Sequence, residues 1–79
     1  MKIFIQYGMI TEEYKVEYND FGRVKQGILK RLGNISASKR AEKERTVLKR
    51  RIKESSTMDD FIFGIGTTRW RVWVEEMDK

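Results

Sequence analysis

The sequence predicts an α+β domain of order ββααββ, in which two hairpins form a four-stranded antiparallel sheet and two helices pack on one of its faces. Three observations carry this expectation. Apolar residues alternate near both ends of the chain, they recur at helical spacing through the middle, and turn or capping residues separate the two patterns. The 79 residues leave room for a single domain over 1–79 with one modest core.

Lys2 to Gly8 alternates and is rich in Ile, Phe and Tyr, and Glu13 to Tyr18 (EYKVEY) alternates again, so the two are expected to pair as a hairpin. Asn19 and Asp20 offer an N-cap for a first helix that places Phe21, Val24, Ile28 and Leu32 on one face and stops at Gly33. Ser36 or Ser38 caps a second helix running to about Glu54, with Ala37, Ala41, Leu48 and Ile52 as its apolar stripe. At 100° per residue, Lys39, Lys43, Thr46, Arg50 and Lys53 lie opposite that stripe. After Ser55-Ser56-Thr57, the segments Asp60 to Ile65 and Arg69 to Glu76 read as a second hairpin, with Phe61 opposite Trp70 and Asp60 opposite Arg71. Along the last strand Trp70, Val72 and Val74 point one way, and Arg69, Arg71 and Trp73 the other.

Composition excludes several functions. The chain has neither cysteine nor histidine, which removes disulfides, thiolate chemistry and the usual zinc ligands; no cofactor or metal is expected. No stretch approaches the roughly 20 apolar residues of a spanning helix, so a membrane location is not expected and a cytoplasmic one is. Acidic pairs stand at Glu12-Glu13, Asp59-Asp60 and Glu75-Glu76, but adjacent residues of a strand point to opposite faces and form no ligand cluster. Without histidine, a general base near neutral pH requires a strongly shifted carboxylate or lysine. An enzyme is therefore not expected. Gly64-Ile65-Gly66 lacks the third glycine and the following helix of a dinucleotide fingerprint and reads as part of a turn.

Charge is the informative property. Lys and Arg number 17 against 12 Asp and Glu, a net charge of +5. Between Arg23 and Lys53 there are 12 basic and 2 acidic residues, a net of +10, while the remainder has 5 basic and 10 acidic residues, a net of −5. Such a bipolar molecule orients in the field of a polyanion. The second helix presents Lys39, Arg40, Lys43, Lys49, Arg50, Arg51 and Lys53, and Lys30 and Arg31 at the end of the first helix are expected to widen the patch. The ordinary alternative is a solvated face with Arg40–Glu44 and Lys39–Glu42 pairs. Two acids cannot neutralise so many bases, which favours an external ligand: RNA or another nucleic acid first, an acidic protein surface second. Trp73, with Arg69 and Arg71 and with Phe4 and Ile62 as neighbours, is a candidate base-stacking face; the alternative use of that open face is to meet a second subunit as a homodimer.

In its size, its lack of Cys and His, and its Lys/Arg-rich helix at Lys39 to Lys53 beside aromatic strands, the chain resembles small phage-encoded counter-defence proteins of the anti-CRISPR or RNA-antitoxin-inhibitor type. The resemblance is one of overall character. It implies a host ribonucleoprotein or its RNA as partner and the host cytoplasm as location, and it assigns no residue a role. The expectation is thus a non-enzymatic nucleic-acid-binding protein, with an inhibitor that covers an acidic or nucleic-acid-binding surface of a host protein as the rival.

Overall fold

The computed structural model describes residues 1–76. In chain order these form β1 (Lys2–Tyr7), β2 (Ile10–Lys15), α1 (Phe21–Gly33), α2 (Lys39–Glu54), a single turn α3 (Asp59–Ile62), β3 (Ile65–Gly66) and β4 (Trp70–Glu75). The strands make one antiparallel sheet in the order β2-β1-β4-β3, an α+β fold as the sequence pattern requires.

The first hairpin is set by its turn. Gly8 and Met9 alone connect Tyr7 to its partner Ile10, and only Gly8 takes a positive φ, 62°. Glycine at the first central position is the pattern of a type II′ turn, whose twist matches that of the strands it joins. This two-residue connection fixes β2 at Ile10–Lys15, three residues earlier than Glu13 to Tyr18, the expected span. Val16 then follows the strand and is buried, held by backbone hydrogen bonds between residues 1 and 16.

Both long helices start where a capping residue allows. Asp20 accepts from the Arg23 N–H at 3.1 Å and opens α1. Ser38, not Ser36, accepts from the Ala41 N–H and opens α2, which leaves Ala37 in the preceding loop, packed against the core rather than on the helical stripe. Val24, Ile28 and Leu32 of α1 and Ala41, Leu48 and Ile52 of α2 are fully buried against Ile3 and Ile5 of β1 and Trp70, Val72 and Val74 of β4. Each large buried side chain contributes about 1.5–3 kcal/mol relative to exposure.

The second hairpin departs from the expectation. Residues 60–65 are not a strand: Asp59–Ile62 wind into α3, and β3 is reduced to Ile65 and Gly66, which pair with Val72 and Arg71. Phe61 therefore does not face Trp70 across a ladder, nor Asp60 Arg71. Phe61 instead drops into the core against Phe21, ring centroids 5.5 Å apart, while Phe63 is left 82% exposed. The physical reason is the backbone at Gly64, whose φ of 91° interrupts an extended run, together with Asp59 and Asp60, which suit the positive end of a helical turn. Trp70 takes Tyr7 as its cross-strand neighbour, stacked at 4.5 Å.

All buried sheet residues lie on the helix side. The opposite side carries Lys2, Phe4 and Gln6 of β1 beside Glu75, Trp73 and Arg71 of β4, and among the described residues no helix covers it. Among the described residues no helix is long and apolar enough to cross a membrane.

Candidate nucleic-acid interface

The basic helix α2 has two chemically different sides. Its inner side is tied to the body by polar contacts as well as apolar ones. Trp70 donates its indole N–H to the Ala41 carbonyl at 2.8 Å inside the core. The Arg45 side chain, only 11% exposed, donates to the carbonyls of Leu32, at 3.0 Å, and Ile35, lies over the Trp70 ring, and sits 3.6 Å from Glu42. Its guanidinium thus collects the carbonyls left open at the end of α1. Arg69 reaches Glu44 at 2.7 Å. Arg51 donates to the Gly66 carbonyl at 2.6 Å, linking α2 to β3. Lys25 of α1 donates to the carbonyls of Lys53 and Ser55 at 2.8 and 2.9 Å, closing the C-terminal end of α2.

The outer side carries Lys39, Lys43, Arg50 and Lys53, all exposed, with Thr46 between them and Arg40 at the flank. Among the described residues none of these five cations is in an ion pair: Glu42, itself exposed, lies 3.6 Å from Arg45, Glu44 reaches Arg69, and the third acid of α2, Glu54, is exposed next to Lys53 and forms no salt bridge. The pairs Arg40–Glu44 and Lys39–Glu42 that a solvated helix would use do not form. From Lys39 to Lys53 the row is about 21 Å long at 1.5 Å per residue. It is a straight cationic ridge on a rigid support.

The remaining expected residues are dispersed. Lys49 is half-buried beside the end of α1 at Gly33, so it borders the ridge without extending it outward. Lys30 and Arg31 do not widen the α2 patch. Arg31 lies over the Tyr14 ring at 5.0 Å and donates to Gly27, and both residues face a groove on another side of α1. Arg69 leaves the open sheet face for Glu44, and Ile62 belongs to α3, so neither joins Trp73. Trp73 does meet Phe4, stacked at 5.1 Å with planes 3° apart, and Arg71 lies over the same indole at 5.4 Å. A base stacking there would compete with neighbours already in place. Lys2–Glu13 at 3.1 Å adds an ion pair to this face, which is mixed in sign rather than basic.

One cation escaped the sequence reading. Arg23 stands in the first turn of α1, which has no acid of its own, and lies 3.7 Å from the capping Asp20. Its signal was legible: a base at the positive end of a helix is electrostatically misplaced. Of the titratable groups, Tyr14 is shifted. Its hydroxyl donates to Glu12, and that bond, partial burial and the neighbouring carboxylate charge hold its pKa above the usual phenol value, with Arg31 opposing.

Comparison with models of protein families, with characterised proteins and with solved structures finds no match to this chain.

Proposed function

We propose that the protein is a non-enzymatic nucleic-acid-binding module whose α2 ridge engages phosphates, with RNA as the favoured ligand. One observation supports this above the others: Lys39, Lys43, Arg50 and Lys53 stand exposed in one row, while two of the three acids of α2, Glu42 and Glu44, lie against Arg45 and Arg69 and leave Glu54 alone at the end of it. Unpaired cations on a rigid ridge find their best neutralisation in a polyanion, which releases condensed counterions on binding. A duplex carries one charge per about 1.7 Å of axis, so a 21 Å ridge lies along about a dozen phosphates and each cation can meet one. The ridge holds no Asn or Gln to read adenine edges, and contact with backbone alone is tolerant of sequence.

The setting that the resemblance implies, inhibition of a host ribonucleoprotein or of an RNA-based toxin–antitoxin system, follows as part of the same proposal. In it the ridge occupies RNA, or the place of RNA.

The test is affinity for short RNA and DNA as a function of salt. Four neutralised phosphates give a slope of log affinity against log salt of about −3.6 on duplex DNA and about −2.8 on a single strand. Reversing Lys43 and Arg50 together to Glu lowers affinity by about a hundredfold and leaves the circular-dichroism spectrum unchanged. A flat salt response overturns the reading. A host-protein complex that survives both nuclease and moderate salt favours the rival inhibitor instead.

A further inference from the structure

The side of α1 turned away from α2 is concave, which a helix surface ordinarily is not. Tyr18, Gly22, Arg23, Gln26, Lys30, Arg31 and Asn34 line an open groove of about 550 Å³, with the Tyr18 hydroxyl lying over Gly27. At 100° per residue this side is roughly opposite Lys25, the residue that ties α1 to α2. At position 27 the Tyr18 hydroxyl and the Arg31 guanidinium fill the space a Cβ needs, so a larger residue must displace the Tyr18 side chain.

The lining chemistry is specific. Three cations line the groove, and the Asp20 carboxylate stands at its end, 3.7 Å from Arg23. Lys30 and Arg31 are accounted for by the negative end of the α1 dipole, and Arg23 at the opposite end is balanced by the capping Asp20 while its side chain stays exposed. Arg31 is held by Gly27 and Tyr14 and forms fixed wall; Arg23 and Lys30 are exposed at the rim. Gln26 and Asn34 add two carboxamides, each a donor beside an acceptor, which is the pattern a nucleobase edge presents. Tyr18 adds an aromatic wall.

We propose that this groove binds a nucleoside phosphate, with the phosphate on Arg23 and Lys30 and the base against Tyr18 within reach of Gln26 and Asn34. A bare anion would leave the carboxamides and the aromatic wall unused. The same chemistry is supplied by a free nucleotide or by one nucleotide of a strand. The site is separate from the α2 ridge and stands or falls without it.

Titration of the isotopically labelled full chain with AMP, UMP, inorganic phosphate and a short oligoribonucleotide, followed by amide chemical shifts, tests the proposal. Expected are saturable shifts with a mononucleotide confined to residues 18–34, a loss of about tenfold in affinity in Arg23→Gln and again in Lys30→Gln, each the removal of one charge-assisted contact, and no change in K43E/R50E. Gln26→Leu weakens nucleotide binding and spares inorganic phosphate. These are exposed positions, and amide dispersion reports that each variant is folded. An oligonucleotide that moves the same amides at lower concentration identifies a strand as the source; a mononucleotide that binds equally well identifies a free nucleotide. No saturable shift up to about 10 mM nucleotide, inorganic phosphate binding as well as AMP, or shifts restricted to α2 would overturn it.

Discussion

The two sides of α2 contain the same residue types and do opposite work. On the inner side Arg45 and Arg51 give their hydrogen bonds to backbone carbonyls, and Glu42 and Glu44, two of the three acids of α2, pair with Arg45 and Arg69. On the outer side Lys39, Lys43, Arg50 and Lys53 are exposed and without ion pairs among the described residues. Net charge does not distinguish the two groups. What separates them is whether the guanidinium or ammonium has acceptors of its own chain within reach. The inner cations act as pins that hold α2 against α1, β3 and β4, and so keep the outer ones in a row. A consequence is that inner variants should change stability with little effect on the salt dependence of binding, and outer variants the reverse.

The largest effect is expected where the inner side meets the core. Trp70→Ala removes a fully buried indole and its bond to Ala41, a change of about 3–5 kcal/mol. A small domain has little more than that in hand, so urea denaturation should show a chain largely unfolded in buffer. The outer side is then broken without touching the fold: K43E/R50E should lower RNA affinity at 100 mM salt by about a hundredfold and flatten the salt slope by at least about 1.5, with the midpoint of unfolding within about 0.5 kcal/mol of the parent. Anisotropy against salt and a denaturation curve on the same sample measure both.

Arg45→Ala sharpens the contrast. It leaves the Leu32 and Ile35 carbonyls without a donor and should cost about 1–3 kcal/mol of stability while the salt slope of the folded fraction stays the same. Equal loss of slope in Arg45→Ala and K43E/R50E would show that the division between inner and outer cations has no functional meaning. Arg69→Ala, whose partner Glu44 is partly exposed, should cost less, at most about 1 kcal/mol after screening by solvent, and is read by the same denaturation assay.

The smallest effect is one of pH. Folding holds the Tyr14 pKa above its ordinary value, so the contribution of this group is complete below the unfolded phenol pKa and is lost as pH rises through the raised value. Thermal unfolding followed from pH 9 upward should therefore fall more steeply in the parent than in Tyr14→Phe. Coincident curves would show that the Glu12 bond does not persist in solution.

Much of the fold was legible, and the reasons are local. The 3.6-residue spacing of Val24, Ile28 and Leu32, and of Ala41, Leu48 and Ile52, selects the buried faces of α1 and α2, and Asp20 and Ser38 mark their starts. Alternation in Lys2–Tyr7 and Trp70–Glu75 likewise gives the two central strands. The edges of the sheet were less legible. An edge strand such as β2 buries little, so its alternation carries little information, and the Gly8-Met9 turn decides its register. Phe61-Ile62-Phe63 satisfies a strand pattern and a helical turn equally well, because three apolar residues are too few to define a period. Helical spacing puts Lys39, Lys43, Arg50 and Lys53 on one exposed face of α2, whereas Lys30 and Arg31 lie apart from it, since sequence gives the angle of a residue on its own helix and not the side on which the next helix packs.

The chain by itself determined which residues face inward, where the helices begin, and that the middle of the molecule is cationic, because periodicity, capping and charge are properties of neighbouring residues. Tertiary structure alone decided which cations are left without partners in their own chain. A guanidinium is spent or free according to carbonyls and carboxylates 10 to 25 residues away, as Arg45 with Leu32 and Ile35 and Arg69 with Glu44 demonstrate, and those distances close only when the helices dock on the sheet.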